Sequence, residues 1–387
     1  MGSVKTIVVV GGGYAGINLI EALKKEFHRE LKRNIRVILI DKNSFHFKKV
    51  KLFKGIVNEN VADLSVPLKD YCGIAIEFIQ GELAKIDPKK QTIHITVQDG
   101  TFNEIYYDQL VLAMGSVLRE ADSERGGLSM TSLESAKTIR EQLLRKLESP
   151  ETMLRLVIAG SGITGIETAA EVGTWLKEEA KKAGNKQKDI EIYLINDKQS
   201  LLNDVPVKIS ERIESRLKKL GIRVLHLKKA ERFTDHKLYF SDMSHLDADL
   251  CIWTVGLKPH PGLWRLGLSL TEEGKIKVDA WYRASENKNI YAIGDCVHVV
   301  DPTSGAAAAM SCKEAISQAQ RLSKIMKAHI EGFTAAPHQT YANLLCIGLG
   351  PSDGMVWAQK WGIDFVLSGK MAGKIREYTW DLSSINH

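Results

Sequence analysis

Two glycine-rich turns constrain this chain more than any other feature: Gly11-Gly12-Gly13-Tyr14-Ala15-Gly16 and Gly160-Ser161-Gly162-Ile163-Thr164-Gly165. Each has the G-x-G-x-x-G spacing. Each follows an apolar run, Ile7–Val10 or Leu156–Ala159, and precedes a stretch of helical periodicity, Ala15–Leu31 or Ile166–Glu179. Between a strand and a helix, the first glycine permits the tight turn and the second lets the backbone approach a pyrophosphate. The third lets helix and strand pack closely. The helix N-terminus then offers unpaired N–H groups and the positive end of its dipole to phosphate. The sequence therefore predicts two dinucleotide-binding βαβ units, a duplication on the scale of domains.

An acid at the end of the second strand of such a unit accepts hydrogen bonds from ribose hydroxyls. In the first unit that strand, Val37–Ile40, ends at Asp41. In the second it ends Leu194-Ile195-Asn196-Asp197, so Asn196 takes the place of the expected acid and Asp197 lies one further on. No arginine sits beside Asn196 to meet a 2′-phosphate, and Lys198 is the nearby cation. This leaves NADH and NADPH both open and favours NADH.

The rest of the chain fits around these two units. Short alternating segments from Ile76 to Thr101 predict antiparallel strands, with turns at Asp87-Pro88 and Asp99-Gly100. Ser132–Leu147, Ser210–Leu220 and Met310–Ala328 predict helices, and Gly221 stands at a helix stop. Phe45–Lys54 reads as a lysine-rich loop whose Lys48, Lys49 and Lys51 face solvent, with contact to cofactor phosphate as the sharper alternative. The tail from Pro337 to His387 predicts a small third unit. Its segment Phe365–Ile375 has amphipathic character suited to core or interface packing.

Bulk properties exclude several classes. With 44% apolar and 26% charged residues in 387, the chain has material for two or three folded domains. A net charge of +6 suits anionic cofactors or weak attraction to an anionic membrane, and no basic run interleaved with aromatics points to nucleic acid. The five cysteines include no C-x-x-C pair, which argues against a local redox dithiol or a zinc ribbon. The eleven histidines form no metal-binding pattern. The opening residues read as a buried strand rather than a signal peptide, although Met1-Gly2-Ser3-Val4-Lys5-Thr6 matches the short myristoylation pattern.

Three further segments carry a resemblance. Leu110-Val111-Leu112-Ala113-Met114-Gly115 is similar to the Ala-Thr-Gly crossover of the two-dinucleotide flavoproteins, the FAD-dependent pyridine nucleotide oxidoreductases. Ile252-Trp253-Thr254-Val255-Gly256 is similar to its second copy, and Ile290-Tyr291-Ala292-Ile293-Gly294-Asp295 to their late flavin motif. Within that superfamily the chain resembles type II NADH dehydrogenases and apoptosis-inducing-factor-like oxidoreductases over nearly its whole length, most clearly at Val8–Gly16, Asp41–Phe47, Ile158–Glu171 and Cys346–Gly354.

The resemblance implies an α/β fold of glutathione-reductase type: two Rossmann-like domains, for FAD and NAD(P), plus a small C-terminal domain. The expected division is 1–120 with 280–330 for FAD, 121–279 for NAD(P)H, and an α+β interface domain at 331–387. FAD is expected at Gly11, Gly13, Tyr14, Ala15, Gly16, Asp41, Lys42, Lys49, Leu83, Ala113, Met114, Gly115, Gly294 and Asp295. The nicotinamide cofactor is expected at Gly160, Gly162, Ile163, Thr164, Gly165, Glu167, Asn196 and Gly256. Two departures stand out. Met114 replaces the usual threonine, and Cys312-Lys313-Glu314-Ala315-Ile316-Ser317 replaces the Ala-Gln-x-Ala-x-Gln of the quinone-reducing enzymes.

The implied chemistry is hydride transfer from NADH to flavin, followed by electron transfer to a quinone-like acceptor. No general base is required for the first half-reaction. The helix near Met310 should point its N-terminus at the flavin, with Ser311 and Cys312 in its first turn stabilising negative charge there. Cys312 is either a small packing residue or a thiol with redox character. Glu167 either favours the helix dipole or points towards the nicotinamide. A small redox protein as acceptor, or a signalling output through a partner, are the competing functions. A homodimer is expected, in the cytoplasm, with weak peripheral attachment to the inner face of the cytoplasmic membrane.

Overall fold

The computed structural model describes residues 4–31, 33–97, 100–118, 125–183, 188–254, 256–284, 287–341 and 344–385. The myristoylation pattern therefore lies partly outside the described residues, as do Asp99 of the second predicted turn and Val255 of the second crossover.

A seven-stranded sheet carries the first glycine turn. Its order is Ile290–Ala292, Gln109–Leu112, Lys5–Val10, Ile35–Asp41, Glu77–Asp87, Thr92–Val97 and Phe102–Tyr106. The first five strands run parallel and the last two close an antiparallel meander. Ile7, Val8 and Val9 are wholly buried, as parallel strands covered on both faces must be. The late strand Ile290–Ala292 pairs beside Gln109–Leu112, so this sheet is built from two separated parts of the chain. A helix over Tyr14–Glu26 packs along a late helix, Cys312–Glu331.

The helix after the first glycine turn is shorter than its apolar periodicity suggests. It stops at Glu26, where Phe27 buries its ring and turns the chain towards the second strand. The late helix starts two residues after the expected point, because the Ser311 hydroxyl accepts from Glu314 N and caps it. It ends at Gly332, whose φ of +81° is the left-handed conformation a helix stop uses.

A second, fully parallel sheet has the order Leu128–Ser129, Leu250–Trp253, Met153–Ala159, Asp189–Ile195 and Ile222–Leu225. Helices over Leu133–Glu148, Ile163–Lys182 and Val207–Lys219 accompany it. The segments that follow the two crossovers pair with each other: Ser116–Leu118 lies antiparallel to Leu257–Pro259. The two connections between the dinucleotide units thus form one small ribbon.

The tail forms a three-stranded antiparallel sheet, Leu344–Gly348, Gly354–Lys360 and Ile363–Ser368, and a helix over Lys370–Ser383. Trp357, Trp380 and Ile347 share one core with Phe53, Ile56 and Ile166, so this unit is seated across both others. The amphipathic stretch Phe365–Ile375 is a strand followed by a helix. Only one face serves the core: Ala372 is wholly buried and Val366 packs against the shared core, whereas Phe365 is 55% and Met371 68% exposed. Phe45–Lys54 also departs from expectation. It contains a short strand and a helical turn, and Lys48 is buried to 1% exposure against Asp381. Its charge is not solvated, because an acid from the C-terminal helix meets it.

Candidate dinucleotide sites and the crevice between them

Both glycine turns are built to the same plan. Gly11 has φ +114° and Gly160 φ +116°, a backbone only glycine adopts without strain. A Cβ on Gly16 would collide with the Gly11 carbonyl oxygen, and one on Gly165 with that of Gly160. A Cβ on Gly13 or Gly162 would meet nothing within 4 Å. These middle glycines therefore leave open space at the mouth of a helix. Gly162, Ile163 and Thr164 are exposed there, while Ala15 and Gly16 are buried beneath their own turn. Open backbone at a helix N-terminus matches the requirement of a pyrophosphate.

The first turn is held by its flanks. Gly12 N donates to Asp41 Oδ2 at 2.6 Å, and Asn43 N donates to Asp41 Oδ1 at 2.7 Å. The Gly12 carbonyl lies 2.9 Å from His46 Nδ1, whose other nitrogen reaches Ser384 Oγ at 3.3 Å. Burial pushes the His46 imidazole down to about 4, so it stays neutral at pH 7. Its ring meets Tyr14 edge-on with centroids 4.9 Å apart. His46 escaped sequence reasoning although it lies within Asp41–Phe47, because no spacing rule marks it.

Across the crevice, Ser116 Oγ donates to Asp295 Oδ2 at 2.7 Å and Lys49 Nζ donates to Ser116 O at 3.0 Å. Burial raises the Asp295 carboxyl, with Ser116 and Lys49 opposing that shift. Gly294, at φ +82°, donates its N–H to Gln318 Oε1 at 2.7 Å, which fixes this turn to the late helix. Ala113 closes against Gly11, and Met114 and Gly115 are half-buried beside it, Gly115 with φ +63°. Gly256 is exposed with φ +85°. Lys42 is exposed near the crevice rim, whereas Leu83 is buried in the strand Glu77–Asp87 opposite Ile95.

Three candidate residues have partners or surroundings of their own. Asn196 is 1% exposed and fully committed. It accepts from Ser161 Oγ at 2.6 Å and donates to Lys198 O at 2.9 Å and Ser200 O at 3.1 Å, with His226 Nδ1 2.8 Å away. An amide suits this place because it both donates and accepts, and it pins the second glycine turn. Glu167 is also committed. Arg376 donates to its two oxygens at 2.7 and 3.1 Å, and Gly348 N donates at 2.8 Å. The carboxylate is held by the C-terminal unit, not directed freely at a nicotinamide. Finally, burial, reinforced by the Asp295 charge, raises the Cys312 thiol to about 12, against the opposing Arg376 and Lys49, which favours the protonated form.

The two sites share one neighbourhood. Cys312 lies within the fields of Asp295, Lys49 and Arg376, and Arg376 holds Glu167 at the start of the second unit's helix. Lys54 also pairs with Glu171, from the first unit to the second. The two glycine-turn units, built on separate sheets, are thus tied together through Arg376, Glu167, Lys54 and Glu171. A family model described as pyridine nucleotide-disulphide oxidoreductase matches residues 5–321, both turns and the late Gly294-Asp295 segment included.

The chain belongs to the pyridine nucleotide-disulphide oxidoreductase family.

It is an FAD-dependent NAD(P)H oxidoreductase. Over 379 residues it is 25% identical to the demethylphylloquinone reductase NdbB of Synechocystis sp., covering 95% of this chain and 89% of that one. Over 331 residues it is 21% identical to the NADH dehydrogenase-like protein YutJ of Bacillus subtilis, covering 85% and 84%. Its fold is similar to that of the NDH2 of Plasmodium falciparum solved with NADH, at TM-score 0.82 and 16% identity, with 98% and 94% of the two chains covered.

Proposed function

We propose that this chain oxidises NADH and reduces a quinone, with FAD in the first glycine site and NADH in the second. The observation that carries this reading is the pair of matching glycine turns, each leaving open space at its middle glycine before a helix. The quinone reductase and NADH dehydrogenase-like relatives support it. Bound FAD supplies the two-electron carrier between the two substrates. The protein supplies position and field. Gly11, Gly13 and Gly16 shape the phosphate cradle, and Asp41 orders its loop and offers an acceptor to ribose. Asp295 marks the ribityl side, and the capped start of the late helix presents its positive end to the crevice. In the second site Asp197, exposed one residue beyond the committed Asn196, is the carboxylate that would meet the NADH ribose.

The test is an anaerobic titration of FAD-loaded protein. One equivalent of NADH should bleach the flavin, NADPH should do so less efficiently, and a quinone should restore the colour. A protein that takes up no FAD, or whose reduced flavin no quinone reoxidises, overturns the proposal.

We infer further that the C-terminal unit rests on a membrane surface. Among the described residues no helix is long and apolar enough to cross a membrane. Instead, Ile363, Phe365 and Leu367 alternate along an exposed edge strand. Met371, Ile375, Tyr378 and Leu382 form an exposed stripe on the following helix. Trp361, 84% exposed, and the cations Lys360, Lys370 and Lys374 border them. Apolar and aromatic groups ringed by lysine suit an anionic lipid interface. The protein should co-sediment with phosphatidylglycerol vesicles, and the double variant W361S/F365S should lose most of that binding. A face that instead forms a stable dimer, seen as doubled mass by light scattering with no vesicle binding, overturns this reading.

A further inference from the structure

The start of the late helix carries a cation, Lys313, that no carboxylate meets within ion-pair distance among the described residues. The late helix begins at Cys312, and its first backbone bond of the helical ladder runs from Ala315 N to Ser311 O at 3.0 Å. The N–H groups of Cys312 and Lys313 stand ahead of that ladder, at the positive end of the helix. Lys313 is half-buried there, and its Nζ donates to Leu344 O at 3.1 Å. A carbonyl takes one of the three ammonium donors and leaves the charge in place. Arg376, Glu167, Cys312 and Cys346 are the other groups whose fields reach Lys313. Glu167 is already spent: it accepts two bonds from Arg376 and one from Gly348 N. Glu314, next in the helix, is buried on the other side, where Tyr341 N at 3.1 Å and Gln318 Nε2 at 3.4 Å donate to it. Among the described residues, the carboxylate whose field reaches Lys313 is thus already paired to Arg376.

Burial lowers the Lys313 ammonium from its ordinary value, and Arg376 adds to this. A bound anion would relieve both effects. The Ala-Gln-x-Ala-x-Gln typical of the resembling quinone enzymes has a neutral glutamine where this chain has Lys313.

We propose that Lys313, backed by Arg376, makes this enzyme select acceptors bearing an ionised oxygen: a hydroxyquinone in its enolate form, or a quinone carrying a carboxylate or sulfonate. The proposal rests on the quinone reading above. The overall step is NADH + H⁺ + quinone → NAD⁺ + hydroquinone. The acceptor gains two electrons and two protons, one proton from the hydride and one from solvent, and its anionic group is unchanged. Lys313 is a specificity-determining residue, and the anion it meets forms charge-assisted hydrogen bonds.

The test compares 1,2-naphthoquinone with its 4-sulfonate on the FAD-loaded enzyme. The ratio of kcat/KM, sulfonate over parent, should fall about tenfold in Lys313→Gln and stay within about threefold of wild type in Lys313→Arg. Exposed Lys218→Gln should not move it. In the wild type, salt should lower kcat/KM for the sulfonate and leave the parent compound unaffected. FAD content and anaerobic NADH reduction establish that each variant is folded. If Lys313→Gln does not fold, the wild-type salt dependence decides. A ratio unchanged in Lys313→Gln, or equal salt effects on both quinones, overturns the proposal. If neither quinone is turned over, the quinone reading fails instead. Binding of the sulfonate, read as a flavin difference spectrum, then decides the charge preference: equal binding by wild type and Lys313→Gln overturns it.

Discussion

Gly16→Val should give a colourless protein, whereas Gly165→Val should give a yellow one that NADH no longer reduces. Both substitutions place a branched side chain where even a Cβ would overlap a glycine carbonyl oxygen of the same turn. The overlap cannot be relieved by a side-chain rotation, because the partner is backbone. Either the helix moves off its strand or the turn opens, and both disperse the N–H groups aimed at the pyrophosphate. Gly16 lies in the helix that follows a strand of the seven-stranded sheet and Gly165 in the helix that follows one of the five-stranded sheet, so the two losses should separate. Flavin absorbance per protein should drop to near zero in the first variant. In the second, flavin content should persist while the anaerobic rate of reduction by NADH falls by more than about 100-fold, the loss expected when a positioned reactant is no longer held. Loss of flavin from both variants, with native-like circular dichroism, would contradict the assignment of separate sites. Gly13→Ala provides the contrast, since its Cβ would meet open space and should weaken FAD binding without unfolding the turn.

The glycine turns were legible because their meaning is local. Turn, strand and helix follow one another within a few residues, and each residue type answers a steric demand at its own position. The same holds for Asp41, which closes its strand and binds its own loop. What could not be read is what the C-terminal unit does to distant residues. Lys48 lies in a run of lysines that reads as a solvated loop, yet Asp381 buries it. Asn196 reads as a weakened ribose ligand, whereas its role depends on Ser161, Ser200 and His226 arriving together. Glu167 was recognisable as a candidate, but its partner lies 209 residues away, and no periodicity links them. Long-range polar partners are chosen by tertiary packing, which leaves no signature at either position alone.

That last pair should have the larger effect on stability. Glu167 and Arg376 are both at least nine-tenths buried, and Arg376 also lies over the Trp380 ring, 5.1 Å from its centroid. Removing one partner leaves the other charge buried without compensation, which costs about 3–5 kcal/mol. Arg376→Met should therefore lower the urea midpoint sharply, and so should Glu167→Leu, which also strands Gly348 N without its acceptor. Replacing both removes the uncompensated charge along with the pair. Two buried charges give back much of their attraction as lost hydration, so the double variant should be more stable than either single one. Its midpoint should return most of the way to wild type. Additive losses in the double variant would show that the two side chains act separately, and that the contact does not hold the C-terminal helix to the second dinucleotide unit. Function should follow a different course. The double variant removes one cation and one carboxylate together, so the net charge beside Lys313 is unchanged and its preference for the sulfonated quinone should stay close to wild type as its stability recovers. Stability reports the pair, and acceptor choice reports Lys313.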